Sequence, residues 1–410
     1  MLKRLRLPVT VIAALAVAEA AVFLLRPRDR LEPVDVAAQT YFSPAFVERA
    51  EHFRTGQLWL YGARLAIEIG LLVYVVRRPP AEPFARRPVA SGAAVAAGLA
   101  VAVTVLTLPV SAIARERAKD VGLVTQSWTG WVGDVLKSTA IEAVIVGIGG
   151  AVLVFAIGRF GRRWWMPASV VVIAFGVIST YATPVVIDPL FNRFDRLNGP
   201  LRGEILTLAR EAGVKVGEVY VMDASRRTTA ANAYVTGIGS TKRVVIYDTL
   251  LDKFSPAAVR GVVAHELGHV HYDDVPHGLL YLIIVAPFGM LAVARLSEAM
   301  GPPEGRSPVP AVALAIALMV PATTMISNQL SRQVEARADR FSMELTHDPQ
   351  GLIDFQRKIT VQNVGDPEPP GWVSFLLGTH QTAVQRIGQA LAFERELKAP
   401  DRAAGSPGGS

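Results

Sequence analysis

The stretch Ser255-Pro-Ala-Ala-Val-Arg-Gly-Val-Val-Ala-His-Glu-Leu-Gly-His-Val270 decides how the rest of the chain is read. Ser255 followed by Pro256 is a helix start signal, and the apolar periodicity behind it predicts a helix carrying His265 and His269 at i and i+4. That spacing sets both imidazoles on one face, a turn apart. Two neutral imidazoles and a carboxylate suit Zn2+ with one position left for water, and Glu266, beside the first histidine, is a base for that water. The same pattern arises by chance on surface helices, so a third ligand has to come from elsewhere in the chain.

Outside this stretch the composition is that of a chain partly in lipid: of 410 residues, 51% are hydrophobic and only 19% charged. There is no cysteine, so a metal must be held by His, Asp or Glu, and the chain has seven histidines. The formal net charge is +7, yet Lys and Arg gather at the ends of apolar segments rather than on one amphipathic face. That distribution favours membrane anchoring and argues against nucleic acid as a partner.

Apolar runs long enough to cross a bilayer lie at about 7–25, 58–76, 89–113, 138–158 and 166–186, ahead of the motif, and at about 278–297 and 309–327 behind it. The first run follows Lys3, Arg4 and Arg6 and ends in Arg26-Pro-Arg-Asp-Arg30 rather than at a small-residue cleavage site, so it reads as a retained membrane helix. The expected organisation is an N-terminal membrane region (1–186), a water-facing domain with the motif helix (187–276), a membrane hairpin (277–327), the rest of the domain (328–399) and a disordered Gly/Ser/Pro/Ala tail (400–410). Within the domain, Leu201 to Ala212 predicts an amphipathic helix, and Glu218 to Met222 and Arg243 to Tyr247 predict short strands. Glu19, Arg64, Glu68 and Glu142 fall inside predicted spans, where they are costly in lipid, and suggest a hydrated interior; Arg64 and Glu68, at i and i+4, are a candidate pair.

The third ligand follows the seventh span, in Asn328-Gln-Leu-Ser-Arg-Gln-Val-Glu-Ala-Arg-Ala-Asp-Arg340. Glu335 and Asp339 share a helix face, so Glu335 can meet the metal while Asp339 holds the remaining ring N–H of His265. The alternative is a solvated charged helix with Arg332, Arg337 and Arg340 as ordinary partners. His271 is about 200° around the helix from His269 and is a poor ligand. His52, His277 and His347 read as surface residues.

Taken in order, these segments resemble the type I CAAX prenyl endopeptidases, a family of integral-membrane zinc metalloproteases. The resemblance rests on His-Glu-Leu-Gly-His and the downstream Gln-Val-Glu-Ala-Arg-Ala-Asp, with Asn328, Ser331 and Arg332 ahead of the glutamate. It extends to Gln126-Ser-Trp, Asp134 to Ser138, Pro189 to Phe194, Asp223 to Arg227, Asn232 to Tyr234, Lys242 to Asp248, and Thr379-His380 with Arg386-Ile387. It implies a mainly α, polytopic membrane protein with about seven transmembrane helices around an internal chamber, and a zinc-metallopeptidase domain containing a small β-element. It also implies one Zn2+ on His265, His269 and Glu335, with Asp339, Asn328 and Arg332 behind the ligands. Glu266 would act as general base and His380 as oxyanion donor, while Asn232, Ala233, Tyr234 and Arg386 would contact substrate. The family has proline where this chain has Gln381, and the segment Arg226 to Ala231 is less rich in serine and histidine than the family pattern.

The expected substrate is a peptide or protein, membrane-associated or lipidated, and the expected site a bacterial-type cell membrane. A heat-shock-type membrane endopeptidase shares the zinc chemistry and is the nearest alternative. A site-2-type protease would want an aspartate ligand and a motif embedded in a span. A zinc-binding sensor or a catalytically dead scaffold are non-enzyme alternatives. The positive segments 3–6, 77–87 and 159–163 place the zinc domain outside the cytoplasm by the positive-inside rule, whereas eukaryotic members of the family have a cytosolic catalytic side.

Overall fold

Apolar length alone writes most of this architecture, because in lipid a chain must satisfy its backbone polar groups within helices. The computed structural model describes residues 2–28, 31–80, 83–84, 86–239, 242–301 and 306–398, with side chains from residue 7; the predicted tail lies outside them. The elements in chain order are α1 (Leu2–Leu25), α2 (Pro44–Arg77), α3 (Pro88–Asp120), α4 (Trp128–Phe160), α5 (Trp165–Ala182), β1 (Phe194–Arg196), α6 (Pro200–Glu211), β2 (Glu218–Met222), β3 (Ala233–Thr236) and β4 (Arg243–Tyr247). They continue with α7 (Asp248–Lys253), α8 (Pro256–His271), α9 (Asp274–Met300), α10 (Val309–Thr346), α11 (Pro349–Gln362), α12 (Gly371–Leu377) and α13 (Ala383–Lys398).

Seven helices, α1 to α5, α9 and α10, are long and apolar enough to cross a membrane. α2 packs on α3 and α3 on α4, α5 packs on α9, α1 and α9 pack on each other and on α10, and α10 returns to α2; a short seam between α4 and α5 closes the circuit. Such a circuit is the arrangement expected of helices set around an internal chamber. α3 and α4 come into backbone contact at Gly150, where a Cβ would stand 2.6 Å from the carbonyl oxygen of Gly92. Small residues permit this backbone contact, which in lipid replaces the hydrophobic drive between helices. Arg64 and Glu68 do not form the expected pair among the described residues, whereas Glu19 accepts from Gln329 Nε2 at 3.2 Å and ties α1 to α10.

The peptidase domain caps one end of this circuit. Its sheet has the order β1-β2-β4-β3, with β2 and β4 parallel and the outer strands antiparallel, so β3 is an open edge. Val244 and Ile246 of β4 and Val219 of β2 are buried with Ile205 of α6 and with Val259, Val263 and Leu267 of α8. α10 is one helix of 38 residues, about 57 Å at 1.5 Å per residue, running from the membrane region into this core; the boundary expected at residue 327 falls within it. Residues 31–42, between α1 and α2, strap across α13. Val34 N–H donates to Gly388 O at 3.0 Å, and Phe42 and Ala38 are buried with Ile387 and Ala390. The positive connectors gather at the opposite end, where Arg306 donates to Pro80 O at 3.2 Å and Arg162 lies 3.9 Å from Glu298.

Candidate active site

Ser255 caps α8 by accepting from Ala258 N–H at 3.3 Å, with Pro256 in the first turn, and the buried Val259, Val262, Val263 and Leu267 fix which face turns inward. His265 and His269 project from the same helix toward α10. The two helices come close at Gly268, where a Cβ would meet the Phe341 ring at 3.1 Å and Ala338 Cα at 3.4 Å. This approach is what lets Glu335 of α10 reach both histidines.

His265 Nε2 lies 3.2 Å from His269 Nε2 and 3.2 Å from Glu335 Oε2, and His269 Nε2 is 3.6 Å from Glu335 Oε1. Ligand bonds of about 2.0–2.1 Å in a tetrahedral site set neighbouring donor atoms about 3.4 Å apart. The other ring nitrogens are both taken by carboxylates: His265 Nδ1 is 2.8 Å from Asp339 and His269 Nδ1 is 2.9 Å from Asp274. A proton on each Nδ1 leaves a lone pair on each Nε2, and these two lone pairs converge with the carboxylate of Glu335. Three acceptors facing one point require a cation, so the residues present fit a metal ion. Without one, a proton takes that place. Burial disfavours the charged His265 ring, but the Asp339 charge and hydrogen bonds to Asp339 and Glu335 outweigh it and push the pKa up to about 10.

Glu266 lines a groove of about 260 Å³ between the β3 end of the sheet and the start of α9, bounded by Val235, Ile238, Val275 and Tyr181. Burial pushes its carboxyl pKa up, with His265 and His269 pulling the other way. His380, its side chain 58% exposed, has Nδ1 2.8 Å from Glu335 Oε2. It lines a second cleft, of about 600 Å³, against Arg54 and Tyr61 of α2.

Several residues stand elsewhere than their expected roles. Arg386, expected to contact substrate, grips Asp339 through Nε at 2.6 Å and Nη2 at 2.5 Å and also lines the cleft that contains His380. Among the described residues, Asn328 and Arg332 form no hydrogen bond to His265, His269 or Glu335. Asn328 Nδ2 donates to Leu376 O at 3.1 Å, and Arg332 Nη1 to Ser374 O and Gly378 O at 3.1 and 2.7 Å, so the pair pins the α12 segment that presents His380. Thr382 and Gln385 then cap α13 reciprocally at 3.0 and 3.3 Å, which stiffens the turn without the family's proline at 381. Of Asn232, Ala233 and Tyr234, only Ala233 turns its backbone to the open edge of β3; Tyr247 N–H donates to Asn232 O, and Tyr234 bonds Asp188 through its hydroxyl at 3.3 Å.

Sequence reasoning missed Asp274 and its partner Arg337, whose guanidinium contacts the Asp274 carboxylate and lies 4.2 Å above the Tyr272 ring. The available signal was an aspartate five residues past His269, at the start of the next helix. The other histidines stay apart: His271 Nδ1 is 2.9 Å from Ala212 O, and His277 Nδ1 is 2.8 Å from Asp273 O.

Comparison with known proteins agrees with this geometry. Residues 195–394 match peptidase family M48, and residues 59–193 match the CAAX prenyl protease N-terminal region of five membrane helices. The chain is 32% identical over 314 residues to the uncharacterized metalloprotease YhfN of Bacillus subtilis, covering 74% of this chain and 73% of that one. It is 28% identical over 283 residues to a probable CAAX prenyl protease 1 of Schizosaccharomyces pombe, covering 63% of this chain and 56% of the relative. The fold matches the crystal structure of S. mikatae Ste24p with a TM-score of 0.73 at 19% identity, over 94% of this chain and 98% of that one. The N-terminal match favours the CAAX prenyl protease reading over the heat-shock-type one. The chain belongs to peptidase family M48, in its CAAX prenyl endopeptidase group, and is a multi-pass membrane metalloendopeptidase.

Proposed function

We propose that the chain is a zinc endopeptidase that hydrolyses extended segments of membrane-associated or lipidated polypeptides presented along the β3 edge. The observation that carries this reading is the convergence of His265, His269 and Glu335 beside Glu266, on the wall of a groove whose other wall is an open strand. Nitrogen and carboxylate donors without thiolate suit zinc in a catalytic site. Zinc held by these three residues supplies Lewis-acid chemistry, polarising a water and the scissile carbonyl.

Glu266 takes the proton of the attacking water and delivers it to the leaving amine; its raised pKa suits a group that must both accept and return a proton. His380 donates Nδ1–H to Glu335, and in its doubly protonated form its Nε2–H would donate to the carbonyl oxygen as charge develops on it. Asp339 and Asp274 hold the two imidazoles in the tautomer that turns Nε2 inward. A β-strand edge gives sequence-tolerant main-chain bonds to an extended peptide. A lipidated substrate fits a site that sits at the mouth of a circuit of membrane helices.

The test pairs two substitutions. Glu266→Gln is expected to keep one zinc per chain and to lose cleavage by about 10³-fold or more, whereas Glu335→Ala is expected to lose the metal. Cleavage at the wild-type rate by Glu266→Gln, or full zinc stoichiometry in Glu335→Ala, overturns the assignment. Comparing membrane proteins that accumulate beside wild-type and Glu266→Gln enzyme, with and without lipidation, identifies the substrate class.

A further inference from the structure

Building on the reading of β3 as the substrate-pairing edge, we propose that the side chain of Asn363 is a register stop. It closes the β3 edge at Ala231 and so sets which peptide bond of an extended substrate reaches Glu266.

Tyr247 N–H donates to Asn232 O at 3.0 Å, so the backbone groups of residue 232 face β4. Alternation along the strand turns those of Tyr234 and Thr236 the same way, and those of Ala231, Ala233 and Val235 outward. At Ala231 both outward groups are already used. Its N–H donates to Asn363 Oδ1 at 3.0 Å, and Asn363 Nδ2 donates to its carbonyl at 3.2 Å. A side-chain amide carries the same donor and acceptor as a peptide group, so Asn363 occupies this position as a residue of a neighbouring strand would. Among the described residues, the Ala233 N–H is held by the exposed Asn232 side chain alone, Oδ1 at 3.0 Å, a local bond that an arriving peptide carbonyl can replace. Among the described residues, no hydrogen bond engages the carbonyl of Ala233 or the outward groups of Val235.

Asn363 is held in place at some conformational cost. It ends α11, and the next residue, Val364, has φ 47°, the left-handed region that a β-branched residue rarely adopts. The strain persists because membrane helix α2 overdetermines the turn. Val364 is buried against Ala50 and Phe53, its carbonyl accepts from Arg54 Nε at 3.0 Å, and Arg54 Nη2 donates to Asn363 O at 3.1 Å. Gln362 adds a bond to Thr229 O at 2.6 Å. Asn363 also lines the cleft that contains His380, while Val235 lines the groove that contains Glu266. The stop therefore stands at the His380 end of the open edge. Strand pairing slips in steps of two residues if the same side chains are to face the same way, and the blocked position removes the register displaced toward α2.

The experiment uses the full-length protein in vesicles and a synthetic extended peptide that the wild type cuts at one bond, with products read by mass spectrometry. Asn363→Ala is expected to add a second cut two residues from the first, at a rate within about tenfold of it, a change that simple destabilisation does not produce. Asn363→Asp, nearly the same size, keeps an acceptor for Ala231 N–H but loses the donor, and is expected to give a smaller share of the displaced product. A single wild-type cut in both variants overturns the stop. Val235→Pro separates this from the underlying reading: it deletes an outward N–H that β4 does not use, and an edge strand tolerates it. It is expected to lower kcat/KM by about tenfold or more. Unchanged cleavage in Val235→Pro overturns the edge itself, whereas a loss there with no shift in the Asn363 variants overturns only the stop.

Discussion

The two histidines of the site are supported by the same chemistry in different surroundings. His265 is backed by Asp339 and Arg386, and His269 by Asp274 and Arg337. The first chain is sealed at its centre: Asp339 has no exposed surface, and Arg386, on α13 beneath the 31–42 strap, reaches the His380 cleft with only 15% of its side chain exposed. The second is wetter at its ends: His269 lines the groove with its side chain 21% exposed and Arg337 is 20% exposed, around an Asp274 carboxylate that is 8% exposed. A buried charge is tolerated only with its partner, while a partly wet one can exchange protein contacts for water. On the proposed reading, the sealed chain would therefore support both fold and metal, and the open one metal with less of the fold.

The largest expected effect follows from this asymmetry. Asp339→Ala leaves the Arg386 guanidinium buried without its carboxylate and is expected to cost about 3–5 kcal/mol in stability together with the metal, measured by thermal unfolding and zinc content. A variant that unfolds like the wild type would remove the distinction between the two chains. Asp274→Asn is expected to act more narrowly, weakening metal affinity by about 10–100-fold in chelator competition while shifting the unfolding midpoint far less. Equal losses of stability in the two variants would show that the groove side is as structural as the sealed side.

How far these features were legible depends on whether the cause is local. The membrane helices were readable because lipid demands about twenty apolar residues in a row, and β2, β4 and α6 because their periodicity is intact. The unbroken α10 was not. Its composition changes near Asn328 as it leaves the apolar surroundings, but composition does not break a helix, and Pro321 is accommodated within it. β1, three residues long, carries no period to detect. Asp339 was readable from its i, i+4 relation to Glu335. Asp274 was not, because Asp273 turns through φ 54° between α8 and α9 and severs any helical spacing from His269. Arg386, Arg332 and Asn328 could be picked out by resemblance, yet which neighbour each one grips depends on α12 and α13 folding back from far along the chain. Asn363 has no local signal at all, since its partner lies 132 residues away.

Proton linkage gives the smallest and sharpest test of the sealed chain. Asp339 holds His265 charged in the metal-free protein up to a pKa of about 10, against an ordinary value of 6.5. A raised pKa means that the charged ring stabilises the metal-free fold fully below the unfolded value and loses that contribution as pH rises through about 10. The unfolding midpoint of metal-free protein should therefore fall between about pH 7 and pH 10. Metal loading replaces the proton, so the loaded protein should lack this slope, and binding near neutral pH should release a proton, measurable by calorimetry in buffers of different ionisation enthalpy. Asp339→Asn, which keeps the shape but removes the charge that holds the proton, should abolish the slope. A slope that survives in that variant would place the titrating group elsewhere, and the sealed chain would then be a packing device rather than an electrostatic one.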